Sequence, residues 1–224
     1  MGRSGEPEPT RMWSAVEIVE AVVEGLGRRA RALDEEQAVY GLDSLDELGL
    51  HPVIQEALRQ AGWGIWPEER YPGDQIRPRR SQGKRCDVVL TPQPHLALRD
   101  PLAAGTLFAG QDTVEVEEAY WLEIKTVAQY ECGGPFARYS AELLAPVVED
   151  VGKLWRDESI RHGGLLLVLF TQTQETAEHD LAIWHDRCLN RGYPVATGIV
   201  RGFALTDRIG NGWCAAALYC VRGG

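Results

Sequence analysis

Asp87, Glu123 and Lys125 are the residues of this chain whose types and spacing could do chemistry together. Residues 120–126 read YWLEIKT. On a strand side chains alternate with period two, so Tyr120, Leu122 and Ile124 share one face and Trp121, Glu123 and Lys125 the other. Glu123 and Lys125 would then stand about 7 Å apart. A half-buried strand that turns Glu and Lys toward water has the same pattern. Upstream, residues 84–91 (KRCDVVLT) form an apolar, β-branched run interrupted by Asp87. Asp is a poor strand former, and a charge in such a run needs a partner or a metal. If the two strands pair, Asp87 can lie beside Glu123, and two close carboxylates repel unless a cation sits between them. Oxygen ligands of this kind suit Mg²⁺, with Mn²⁺ able to substitute. Lys125 could then orient a water or stabilise charge on a phosphate. That is the chemistry of metal-assisted phosphodiester hydrolysis.

Asp87, a long gap and then Glu123-Ile124-Lys125 resembles the PD-(D/E)xK nuclease superfamily, whose core is the restriction-endonuclease-like fold. The order helix, strand, strand with Asp, strand with Glu-x-Lys, helix, buried strand is that of the nuclease core and spans residues 46–172. Cys86 stands where the family's pattern has proline, and an inserted excursion accounts for the long gap. The resemblance implies that Asp87 and Glu123 are metal carboxylates, that the Ile124 carbonyl is a further ligand and that Lys125 is the catalytic lysine. It also implies an upstream acid, for which Glu47, Glu56, Glu68 and Glu69 are available and Glu69 is preferred, and a contribution from Lys153 on the following helix. Asp150 and Lys153 can alternatively form a local ion pair. Gln129 could touch phosphate or a water, and Tyr139 is expected to pack. The expected activity is that of a Mg²⁺-dependent nuclease acting on DNA, an endonuclease in preference to an exonuclease. Cleavage of both strands would require a homodimer. The alternative is a catalytically silent nuclease-like domain that binds nucleic acid or a protein partner.

The elements needed to position these residues can be read along the chain. Residues 13–32 have helical spacing of Val16, Val19, Val23 and Leu26, with Ser14 as N-cap. Residues 1–45 thus predict an N-terminal helical arm, with a short second helical piece at 34–40, and residues 46–224 the nuclease-like domain. Helices are expected at 51–61 and 139–159, the second divided or kinked at Pro146, and at 175–190. Glu47 would share a face with His51 and Ile54 only if the helix ran back through Gly49. Strands are expected at 63–70, around Asp87, at 115–129 and at 165–170, whose LLLVLF run suits a strand buried on both faces. Two closing strands, 196–206 and 213–222, would flank a tight turn at Gly210-Asn211-Gly212. Together these elements predict a three-layer α/β/α fold with a mixed central sheet.

Composition narrows the function classes. The chain has 224 residues, 44% of them hydrophobic, enough for one full core. No apolar run is long enough for a transmembrane helix, and residues 1–10 lack the apolar core of a signal peptide, so a cytoplasmic protein without a membrane partner is expected. Five cysteines without CxxC spacing argue against a zinc framework or a disulfide scaffold. The five histidines are read as ordinary core or surface residues, and Cys86 as a small buried hydrophobe. The net charge of −10 disfavours a general nucleic-acid coat protein. Basic residues are nevertheless concentrated before Asp87, and Arg77, Arg79, Arg80, Lys84 and Arg85 are candidate phosphate contacts.

Overall fold

The computed structural model describes residues 13–73, 85–99 and 112–222. Arg77, Arg79, Arg80 and Lys84 lie outside them. The fold is a three-layer α/β/α arrangement around a six-stranded mixed sheet. In chain order the described elements begin with α1 (Ala15–Glu35), α2 (Glu47–Gln60), β1 (Gly64–Arg70) and β2 (Arg85–Thr91). The small strands β3 (Ala97–Leu98) and β4 (Thr113–Val114) precede β5 (Tyr120–Ala128), and β6 (Tyr130–Glu131) and β7 (Gly134–Pro135) follow it. Next come α3 (Tyr139–Leu144), α4 (Pro146–Arg156), β8 (His162–Thr171), α5 (Gln174–Asn190), β9 (Ile199–Ala204) and β10 (Trp213–Arg222). The sheet runs β1-β2-β5-β8-β10-β9. Among the described residues of this six-stranded sheet, β5 and β8 are the parallel neighbours, joined by the crossover that carries α3 and α4, and its other pairs are antiparallel.

Alternation along the strands divides the core. Leu122, Ile124, Leu166, Val168 and Phe170 face one side with Ile18, Val22, Leu26, Leu50, Ile54 and Leu58 of α1 and α2. Trp121, Leu165, Leu167 and Leu169 face the other with Leu143, Val151, Leu154, Leu181 and Trp184 of α3 to α5. β8 is buried on both faces, which its unbroken apolar run requires. α1, expected as an arm, lies in the same layer as α2. Its apolar stripe is fully buried at Ile18, Val19, Val22 and Leu26. Gly25 permits the close crossing of α2, since a Cβ there would lie 2.3 Å from Ala57 Cβ.

Four expectations are corrected. α1 continues through Gly25 and Gly27 to Glu35, and no helix occupies 36–40; a 3₁₀ turn forms at Leu42–Ser44 instead. α2 starts at Glu47, because Asp46 caps it by accepting from Gly49 N–H. β5 starts at Tyr120 rather than 115, since residues 116–118 form a turn. The β9–β10 connection is longer than a tight turn and closes with Leu205 N–H on the Gly212 carbonyl. Asn211 there is buried and donates to Asp43 and to the Tyr130 carbonyl. Pro146 divides the 139–159 helix into α3 and α4.

Candidate active site

The site lies where β2 and β5 part. Their ladder covers Leu90↔Tyr120, Val89↔Trp121 and Val88↔Leu122. One step further the register sets Asp87 opposite Glu123, but the backbones no longer pair there. Ile124 and Thr126 are two residues apart, so their N–H groups leave the same edge of β5. Asp87 Oδ2 accepts from Ile124 N–H at 2.7 Å, and Glu47 Oε2 accepts from Thr126 N–H at 3.4 Å. Two carboxylates therefore take the place of the backbone carbonyls that a continued β2 would have supplied. β8 pairs with the other edge of β5 along its whole length.

Glu123 is 2% exposed and points toward α4. Tyr71 O–H donates to its Oε1, and Lys153 Nζ is 3.7 Å from the same oxygen. Tyr71 is held by stacking on Trp121, with ring centroids 5.7 Å apart. Burial pushes the Glu123 carboxyl well above the usual carboxylate range, and the Asp87 charge pushes the same way; Lys153 and the Tyr71 hydrogen bond only partly oppose this. Burial raises the Tyr71 phenol, and the Glu123 carboxyl beside it pushes the same way, so the phenol stays a donor. Lys153 also bonds Asp150 Oδ1 at 2.6 Å. Burial raises the Asp150 carboxyl despite that bond. Burial alone would lower Lys153, yet Glu123 and Asp150 raise it. The α4 pair expected from sequence thus forms, and it also faces Glu123.

Lys125 turns toward α2, where its Nζ meets Glu47 Oε2 at 2.9 Å. Burial would lower it as well, but the Glu47 hydrogen bond and charge raise it, so the amine remains an ammonium.

Glu69, the preferred upstream acid, lies on β1. In the β1–β2 register Glu69 lies opposite Cys86, whereas Glu68 faces Asp87. A carboxylate oxygen of Glu68, one of Asp87 and a ring nitrogen of His51 all lie within 4.8 Å of one another. Glu47 is the acid that contacts the Glu-x-Lys strand. Gln129 is not gathered at the site; its Oε1 accepts from Gln172 N–H and ties the end of β5 to the end of β8. Arg85 is exposed and donates to the Glu68 carbonyl. Tyr139 packs as expected, its hydroxyl on Asp180 Oδ2. Cys86 is fully buried, as expected of a small hydrophobe.

Sequence reasoning did not place Tyr71 beside Glu123 or His51 beside Asp87. The usable signal for His51 was its i+4 spacing from Glu47 once α2 includes both. Tyr71 sits in a Tyr-Pro-Gly breaker, and its side-chain bond spans 52 residues, so nothing local announces it. No family model, curated protein or solved structure matches this chain.

Proposed function

We propose that the chain is a Mg²⁺-dependent nuclease that hydrolyses phosphodiester bonds, with DNA as its substrate. The observation that carries the reading is the register that sets Asp87 against Glu123 at an opening of the sheet, with lysines on either side. The donor set suits a hard divalent ion: both are oxygen ligands, and Asp87 keeps an oxygen beyond the one bonded to Ile124 N–H. Asp87 and Glu123, with the Ile124 carbonyl, would hold the ion, which supplies Lewis acidity and a lowered water pKa. The Asp87 charge raises the Glu123 carboxyl, a repulsion that a cation between them would offset.

The chain's own groups have distinct parts in this reading. Tyr71 fixes the Glu123 carboxylate by donating to it. Lys125 is an ammonium anchored by Glu47, so it serves by charge and hydrogen bonding, not as a general base. It can hold a non-bridging phosphate oxygen or orient the attacking water. Lys153 sets a second positive charge on the α4 side. The hydrophobic walls formed by Trp121 and Val89 limit water behind the carboxylates and strengthen these interactions.

Two observations favour the rival, a silent nuclease-like domain. Glu123 already has two partners, and the cleft of about 460 Å³ beside Glu47 is walled by Asp43, Asp46, Glu47 and Glu131, a poor surface for phosphates. Cleavage of supercoiled plasmid and of single- and double-stranded oligonucleotides decides between them. It is run with Mg²⁺, Mn²⁺ or chelator, on wild type and Lys125→Ala. Metal-dependent cutting lost in the variant is expected. Absence of cutting under every condition would favour the silent domain.

A further inference from the structure

We propose that His51, Glu68 and Asp87 form a binding site for a divalent first-row transition metal of the Mn²⁺ type, with a ligand set that does not include Glu123. The three residues come from α2, β1 and β2, and their candidate ligand atoms lie within 4.8 Å of one another. Rotation of Glu68, whose side chain is exposed, can close that spacing onto one ion.

His51 makes this more than an acidic pair. The residue is 7% exposed, and its buried Nε2 has no hydrogen-bond partner among the described residues. Buried ring nitrogens are normally partnered, and a metal ion is one way to satisfy such a nitrogen. Pro52 and the Leu50 and Ile54 side chains sit within the same helix, so the ring is carried on a rigid element. Glu68 has φ +56°, a left-handed conformation rare for a non-glycine residue, with the Arg85 guanidinium on its carbonyl. That backbone sets the Glu68 carboxylate beside Asp87. The Ile124 N–H orients the Asp87 carboxylate, as an outer partner does for a metal ligand.

The donors also indicate the ion. One imidazole nitrogen with two carboxylates suits Mn²⁺, Fe²⁺ or Zn²⁺, whereas Mg²⁺ prefers oxygen and retained water. Asp87 belongs both to this set and to the pair proposed above for Mg²⁺. The site does not depend on the nuclease reading, because binding needs no cleavage.

Mn²⁺ titration followed by the electron paramagnetic resonance of the free ion tests it. The proteins are the full-length wild type, His51→Gln, Glu68→Gln and Glu123→Gln, each checked for folding by circular dichroism. The wild type should take up one equivalent of Mn²⁺ that excess Mg²⁺ displaces poorly. Affinity should fall by at least about tenfold in His51→Gln and Glu68→Gln, and persist in Glu123→Gln. Glu68 is exposed, so its variant keeps the test valid if His51→Gln fails to fold. Wild-type binding by Glu68→Gln, or loss of binding in Glu123→Gln, would overturn the assignment. A chain that binds Mn²⁺ as expected yet cuts nothing would fail the nuclease proposal and leave this one standing.

Discussion

Substitution can separate two roles of Asp87. Its Oδ2 accepts from Ile124 N–H at 2.7 Å, and Ile124 is 1% exposed, so removing the carboxylate leaves that N–H without a protein acceptor. Alanine at 87 strands the buried N–H, which costs about 1–3 kcal/mol. It also removes a negative charge from beside Glu123. That gain is small, because the Glu123 carboxyl is already held toward its protonated form, chiefly by burial. Loss of the acceptor therefore wins. Asparagine keeps a carbonyl for Ile124 N–H while removing the charge, so Asp87→Asn should stay within about 1 kcal/mol of wild type. A domain of this size shifts its midpoint by about 2–4 °C per kcal/mol. The expected fall is then roughly 2–12 °C for alanine and no more than about 4 °C for asparagine. Both variants should lose metal-dependent cleavage. Thermal and urea unfolding, run beside the plasmid assay, read the two roles separately. Wild-type stability in Asp87→Ala would refute the ladder-capping role. Wild-type cutting by Asp87→Asn would refute the ligand role.

Three further outcomes are expected. Lys125→Ala should lower cleavage by about 10²-fold or more, while its half-exposed bond to Glu47 limits the stability loss to about 1 kcal/mol; a large stability loss in urea would mean the lysine is structural. Gly25→Ala gains about 1 kcal/mol of helix propensity but forces a Cβ to 2.3 Å from Ala57, an overpacking cost of about 1–3 kcal/mol. It should therefore destabilise, and Ala57→Gly in the same chain should recover the loss in urea unfolding; failure to recover would rule out the helix contact as the cause. Burial raises the Asp43 carboxyl in the folded state despite the Asn211 hydrogen bond. A raised folded pKa means that this group's contribution to stability increases as pH falls through that pKa toward the unfolded value of about 3.9. Asp43→Asn should remove this dependence, so the variant gains on wild type from pH 4 to pH 7; a pH-independent difference in urea midpoints would refute the assignment.

The parts of the fold carried by local pattern were legible in the chain. The LLLVLF run could be read as a strand buried on both faces, because burial of both faces leaves no polar alternation to preserve. The Asp87 and Glu-x-Lys strands could be read for a similar reason: an acid inside an apolar run has to be accounted for. The start of α2 is not legible from Gly49 alone, because the Asp46 cap offsets the glycine's penalty. Position along β1 alone does not separate Glu68 from Glu69 as the residue that meets Asp87. The facing residue depends on the β1–β2 register, which no single strand specifies. The positive φ of Glu68 was also invisible, since nothing in its residue type requires that conformation. Tyr71 and His51 act through contacts made only after the layers pack.

The opening between β2 and β5 explains why charge collects in an otherwise apolar sheet. Once β2 leaves the ladder, each inward N–H of β5 needs an acceptor, and a carboxylate is the strongest one available. Asp87 and Glu47 supply it from opposite sides, one from the departing strand and one from the first turn of α2. Their negative charge in turn requires compensation, which Lys125 gives to Glu47. Asp87 has no lysine bonded to it among the described residues; it faces Glu123, Glu68 and the His51 nitrogen instead. Lys153 is engaged by Asp150 and Glu123. A carboxylate fixed by a backbone N–H, flanked by two further acids and short of a cation, is the point where a divalent ion would gain most. Both metal proposals therefore converge on Asp87, and they part in whether its companions are the buried Glu123 and the Ile124 carbonyl or the exposed Glu68 and the His51 nitrogen.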